Sequence, residues 1–372
     1  MNTRRTLFLS AAAGFFTARN LFGQTTRFAL DRSGPKYVEP RTFNLEGLNR
    51  CFADAWAQDA IPYLPDAVYT LSDTLVLKNK SGKRIQTSGR TRFSPRPLDG
   101  NRSLNGGPIL VYEGDPAKPC ILIDSSLQLR FDALTLKGKS NIGFQFVNAG
   151  YGNAGHVFQS VQVLNCSEGY SFGVPSEDQG TNSDVAFHDC SFLDCGSGIV
   201  THGHQQLNYY AYNLNAMRCG SVFTARKGGS FRVCGGSTYE CDWLFSQGEG
   251  GENVGPSIAS GVRTDGGGLT RRQGGWLRTL PGGSFMSTYV LTGLADVGTD
   301  KAKMHENEYL IDVTGGVNVL LQGCTTRTNL ARLTPRAQVP SVAADACRLT
   351  SGKAGPVVLR NCVDWTGNPL TA

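Results

Sequence analysis

Two histidines and two cations carry the chain's most suggestive chemistry. His202 and His204 stand in the segment THGH, and Arg226 and Lys227 stand in ARK, about one repeat further on. A neighbouring cation disfavours the protonated form of a histidine, leaving the ring able to accept a proton. A guanidinium also pairs well with a carboxylate. A β-elimination on a uronic acid needs both: a base for the C5 proton and a cation to hold the substrate carboxylate. His202 is therefore read as the base and Arg226 or Lys227 as the cation. His204 flanks them and Glu249 lies just beyond.

Three other groupings compete with this one. Asp178, Asp184, Asp189 and Asp194 precede THGH and could serve hydrolysis, which needs two carboxyls at a defined separation. TNSD (Thr181 to Asp184) and ARK (Ala225 to Lys227) loosely resemble the N-T-D and R-I-K motifs of polygalacturonases. The order around His202 is H-G-H rather than the G-H-G of that family, and no adjacent Asp pair is present. Asp189 and Asp194 have a simpler reading as turn residues before Cys190 and Cys195. Arg271, Arg272 and Trp276 form a second substrate-binding candidate, the indole stacking on a sugar ring. Glu249, Glu252 and Asp265 are possible oxygen ligands for Ca²⁺, without a D-x-D-x-D-G loop. No other cofactor is implied. His156 and His188 lie singly in apolar runs and read as structural or surface residues rather than ligands.

These residues must be positioned by a repeat. CSEGYSF from Cys166, CGSGIVT from Cys195, CGSVFTA from Cys219 and CDWLFSQ from Cys241 share one pattern, at intervals of 29, 24 and 22 residues. Self-similarity at that period marks a stacked array in which each unit buries its apolar face against its neighbours. Aligned, Tyr170, Ile199, Phe223 and Phe245 form a core column. Alternation then places Ser171, Val200, Thr224 and Ser246 outside. A second outward column holds Gly173, His202, Arg226 and Gly248, so His202 and Arg226 are expected to be exposed neighbours on adjacent strands. The four cysteines should stack as a buried, mostly reduced column. VNVLLQGC and VVLRNC continue the pattern later, with Gly323 and Asn361 before the cysteine as Asn165 and Asp189 are earlier. Gly, Asn and Asp tolerate the left-handed backbone of a sharp bend.

Before the repeats, Asn44 to Gln58 is predicted to be helical, capped by Asn44, with Leu45, Leu48, Phe52 and Trp56 on one stripe. Tyr69, Leu71, Leu75 and Leu77 predict two short strands around Ser72-Asp73. A capping helix, then Pro65 and Tyr69, then a strand and a Gly-rich turn resembles the start of pectate-lyase-superfamily proteins. Asp66-Ala67 stand where that family usually has a Gly. The resemblance runs from about Phe43 to Asn361. It implies an all-β, single-stranded right-handed parallel β-helix with an N-terminal capping helix. The fold hosts lyases, hydrolases and adhesins alike.

The remaining features bound the setting. Arg4-Arg5 before the apolar run Leu7 to Phe16 reads as a twin-arginine signal peptide over residues 1–23, followed by a linker over 24–42 and the β-helix domain over 43–372. The run is too short to span a bilayer, so the protein is expected to be exported, periplasmic or extracellular, with no membrane span. Eleven cysteines leave at least one unpaired within a monomer. The net charge of +6 suits an acidic polymer as partner, and no aromatic-basic interleaving marks a nucleic-acid surface. The expected function is cleavage of an anionic polysaccharide by a lyase-like β-elimination. A non-catalytic carbohydrate-binding or structural protein, or a glycoside hydrolase on the same fold, are the alternatives.

Overall fold

The computed structural model describes residues 35–89, 107–148, 152–175, 180–248, 255–265, 270, 274–279, 288–297, 310–313, 317–326, 357–364 and 369. The expected signal segment lies outside them, as do Asp178, Glu249, Glu252, Arg271 and Arg272.

Helix α1 (Leu45–Ala57) begins where expected. Asn44 sits in extended backbone, and its side chain accepts the Gly47 N–H at 2.9 Å. That satisfies one of the donors a helix start leaves unpaired. Leu48 and Phe52 are buried, closing the end of the core. The strand Tyr37–Val38 already pairs with Ile61 and Pro62, so the sheet begins inside the stretch read as a linker.

From there the chain is a right-handed parallel β-helix. One face is a nine-stranded sheet: β1 (Leu75–Lys78), β2 (Ile121–Asp124), β3 (Ile142–Val147), β4 (Glu168–Phe172), β5 (Ser197–His202), β6 (Ser221–Lys227), β7 (Trp243–Gln247), β8 (Gly275–Thr279) and β9 (Ile311–Val313). Each pairs in parallel with the next. The other long sheet bends, so that each full coil contributes to two further faces.

The register confirms the core column and lengthens it. Leu75, Ile121, Phe144, Tyr170, Ile199, Phe223, Phe245, Leu277 and Ile311 follow one another rung by rung, all essentially inaccessible. Ring pairs such as Phe144–Tyr170 and Phe146–Phe172 stack with centroids 4.8 and 4.2 Å apart.

The bends also match. Asn165, Asp189, Asp194, Arg218, Glu240 and Asn361 all take positive φ near 50°. Their side chains bond along the stack: Asn213 donates to Asp189 at 2.8 Å and Arg218 to Asp194 at 2.6 Å. These aspartates are turn residues tied to the next coil.

Cys166, Cys195, Cys219 and Cys241 stand at the entries to β4, β5, β6 and β7, buried and free, each thiol donating to the backbone carbonyl two residues before it. Cys190, Cys324 and Cys362 belong to a different corner, each between two strands of the bent sheet. Cys190 and Cys324 donate to backbone carbonyls of the preceding coil, Phe158 and Leu291. The two series share a sequence pattern because both are tight corners with a small apolar residue after the bend.

Candidate functional site

The nine-stranded sheet is creased on its outer side. In β4 to β7 two consecutive residues turn inward: Gly169-Tyr170, Gly198-Ile199, Val222-Phe223 and Leu244-Phe245. Phe192 fills the space beneath the two glycines, and a Cβ on Gly169 or Gly198 would come within 2.8 or 2.7 Å of its ring. Skipping one alternation brings outward side chains three residues apart together. Ser221 and Thr224, on one strand, share a hydrogen bond in this way.

Glu168 occupies the crease on β4. Its Oε2 accepts His202 Nε2–H at 2.9 Å and its Oε1 meets Arg226 Nη2 at 3.0 Å. Burial by itself raises the pKa of this carboxyl. The hydrogen bond and charge of His202, then Ser171 and Arg226, outweigh that and hold it below the ordinary glutamate value. Glu168 is therefore ionised at neutral pH and accepts from both partners.

A cleft of about 540 Å³ lies beside this group. Its floor is hydroxylic: Ser197 bonds Ser221 at 2.9 Å and Thr224 at 3.1 Å. Arg226 lines it at one side. Arg278 lines it at the other, over the Trp243 ring at 5.7 Å and donating to Ser246 at 3.3 Å. Asp242 adds a carboxylate to the wall and accepts from the backbone and hydroxyl of Thr270. The face can bind a polar, partly anionic ligand.

The predicted residues divide. Ser171, Val200, Thr224 and Ser246 are in register on the outer face. The second column shifts, because a bulge between Thr201 and His202 pairs His202 with Lys227 and leaves Arg226 as the extra residue. His202 is not exposed. Its side chain retains 3 % of its accessible surface, and Nδ1 is buried without a hydrogen-bond partner among the described residues. With Nε2 committed to Glu168, neither ring nitrogen reaches the cleft. His202 and Arg226 do converge, but through Glu168. His204 lies half-buried in the bend after β5, and Lys227 half-buried at the end of β6.

Trp276 is a correction. It lies on β8 wholly in the core, its Nε1–H donating to Thr264 Oγ1 at 3.1 Å, and cannot stack on a sugar. Asp265 is held by Arg263 at 2.8 Å, and no cluster of three potential metal ligands occurs among the described residues. His156 is buried, accepts the Leu129 N–H at Nδ1, and is pushed down to about 4 by burial; His188 stacks on Tyr212. His156 is thus a core group, and His188 a half-buried ring on the outer face.

Glu168 itself was missed, although the repeat marks it. Aligned on the cysteines, its position holds Ser197, Ser221 and Trp243 in the next three coils. An acidic residue at an outward position otherwise filled by small or aromatic side chains was the available signal.

No family model and no curated protein matches the chain in sequence. Solved structures do match. DFA-IIIase from Arthrobacter chlorophenolicus A6 in complex with GF2 aligns at TM-score 0.55 and 13% identity, over 91% of each chain. Its C387A mutant in complex with DFA-III aligns at the same score and identity, over 89% of this chain and 85% of that one. Endo-xylogalacturonan hydrolase from Aspergillus tubingensis aligns at 0.49 and 11% identity, over 86% of this chain and 100% of its own. At this identity the likeness is one of fold. Among the described residues no helix is long and apolar enough to cross a membrane.

Proposed function

We propose that this β-helix binds an acidic saccharide in the cleft over β5 to β8 and cleaves it by β-elimination, with Glu168 as proton acceptor. One observation carries the reading: an ionised, mostly buried carboxylate lies against Arg226, which also lines a cleft floored with hydroxyls. Shared fold with DFA-IIIase, solved with DFA-III and with GF2, is compatible with it.

The division of labour follows from the contacts. Arg226 is half-exposed and can turn from Glu168 to a substrate carboxylate. Neutralising that carboxylate acidifies the adjacent C5–H. Losing the guanidinium also removes one influence that holds the Glu168 pKa down, so its basicity rises as the substrate binds. Glu168 takes the C5 proton, the C5 electron pair forms the C4–C5 double bond, and the C4–O bond breaks with its electrons on the leaving oxygen, which takes a proton from water. His202 holds Glu168 in place and is a positioning residue rather than the base.

Two-carboxylate hydrolysis fits less well. Glu168 on β4 and Asp242 at the entry to β7 are three rungs apart, roughly 14 Å, beyond the approximate 5–9.5 Å range that retaining and inverting hydrolases use. A purely binding role is favoured by one fact: both Glu168 oxygens already have partners. A panel of acidic polysaccharides, read at the ultraviolet absorbance of unsaturated products, separates the readings. Absorbance that Glu168→Gln abolishes while binding persists supports elimination. Reducing ends without absorbance would mean hydrolysis, and binding without turnover a recognition module.

A further inference from the structure

The cleft has two guanidinium ends, and their separation has a chemical meaning. Arg226 stands on β6 but reaches Glu168 on β4, so its head group lies across β5. Arg278 stands on β8 but bonds Ser246 and covers Trp243, both on β7. From β5 to β7 is two rungs, about 10 Å. The strand between them, β6, contributes Ser221 and Thr224, which are uncharged and hydrogen-bonded to Ser197 and to each other. Arg278 Nε is buried and has no hydrogen-bond partner among the described residues, so this end holds a donor free for a ligand.

An extended saccharide crossing the strands advances about one rung per sugar residue. Its acidic groups then meet the two guanidiniums only at alternate residues. A carboxylate on the sugar between them would face the hydroxyls of β6, already engaged with one another and without a cation on that rung. A charge held there without a partner selects against that ligand, as paired charges select for another.

We infer that the site selects a saccharide in which acidic and neutral residues alternate, over one acidic at every residue. This rests on the cleft being the saccharide site. Binding by calorimetry of an unsulfated chondroitin tetrasaccharide, whose uronates alternate with neutral amino sugars, and of tetragalacturonate provides the test. The alternating ligand is expected to bind at least about tenfold tighter. Arg278→Gln should remove most of that preference, and Arg278→Lys, which keeps the charge, should restore part of it. Equal or tighter binding of tetragalacturonate, or an unchanged preference in Arg278→Gln, overturns the alternation. If tetragalacturonate binds in an Arg226-dependent and Arg278-independent way, the cleft reading stands and the alternation falls. If neither ligand binds, both fall.

Discussion

Glu168 and His202 meet at 2.9 Å although one opens its strand and the other closes the next. The crease in the sheet makes this possible, since two consecutive inward residues shorten the outer path between the strand ends. Glu168 gains partners while staying covered in the crease, which a buried carboxylate requires. The pair is thus a product of backbone shape as much as of residue choice.

Acid should expose this arrangement. The folded pKa of Glu168 is depressed, so the unfolded chain binds more protons around its titration and stability rises with pH there. The contribution is fully present above the unfolded value of about 4.3 and fades as pH falls through the lower folded one. Urea midpoints measured between pH 3 and pH 7 should fall less steeply in acid for Glu168→Gln than for the wild type. Identical profiles would contradict the assignment.

His202 as a positioning residue makes a different prediction from His202 as a base. His202→Gln retains a donor for Glu168 and should keep a substantial part of turnover on an active substrate, whereas His202→Ala should lose it. The base assignment requires both to be inactive. Steady-state kcat for the two variants decides.

Trp276 should matter to stability and not to ligand. Trp276→Ala empties a wholly buried site and should cost about 3–5 kcal/mol. Trp276→Phe keeps most of the volume and removes one hydrogen bond of Thr264 Oγ1, which still donates to the Ala295 carbonyl, for roughly 0.5–1.5 kcal/mol. Saccharide affinity of the folded Phe variant, read by calorimetry, should be unchanged.

The inner column offers a check on phase. Phe223→Ala should cost about 3–5 kcal/mol in equilibrium denaturation, because Ile199 and Phe245 pack above and below it. A neutral effect would place the ring outside.

Thiol labelling should follow exposure. Cys234 is the exposed cysteine among the described residues and should react with iodoacetamide in the native protein. Cys190, whose thiol burial pushes up to about 12, should react only after unfolding. Mass spectrometry of labelled peptides reads both.

How much of this was legible in the chain depends on what each signal measures. The coils were legible because cysteine, bend residue and apolar run recur together, and parallel stacking forces recurring residues into columns. The outward column through Ser171 and Thr224 followed by alternation. Alternation then misled at His202, because a bulge two residues later in β6 adds a residue that no period reveals. Trp276 misled for a related reason. Its neighbours are glycines and arginines, so composition placed it in a loop, while the register with β7 carries it into the core. Glu168 needed a comparison between repeats at one position, which shows an exception rather than a rule.

The coil between Ser197 and Ser221 has a further consequence. Over this stretch each face advances by the same number of residues: Ser197 pairs with Ser221, Val185 with Tyr209 and Ser191 with Asn215. The cleft can therefore change length only in whole steps. Removing residues 197–220 would join Gly196 to Ser221 with every corner still in phase, and the platform beside Glu168 would lose one rung. Excising half as much would set bend residues of one coil against strand residues of the next, because each corner must stack on the corner below. Ligand length is thus quantised by the solenoid, and a longer or shorter binding site is reached by adding or deleting a complete turn.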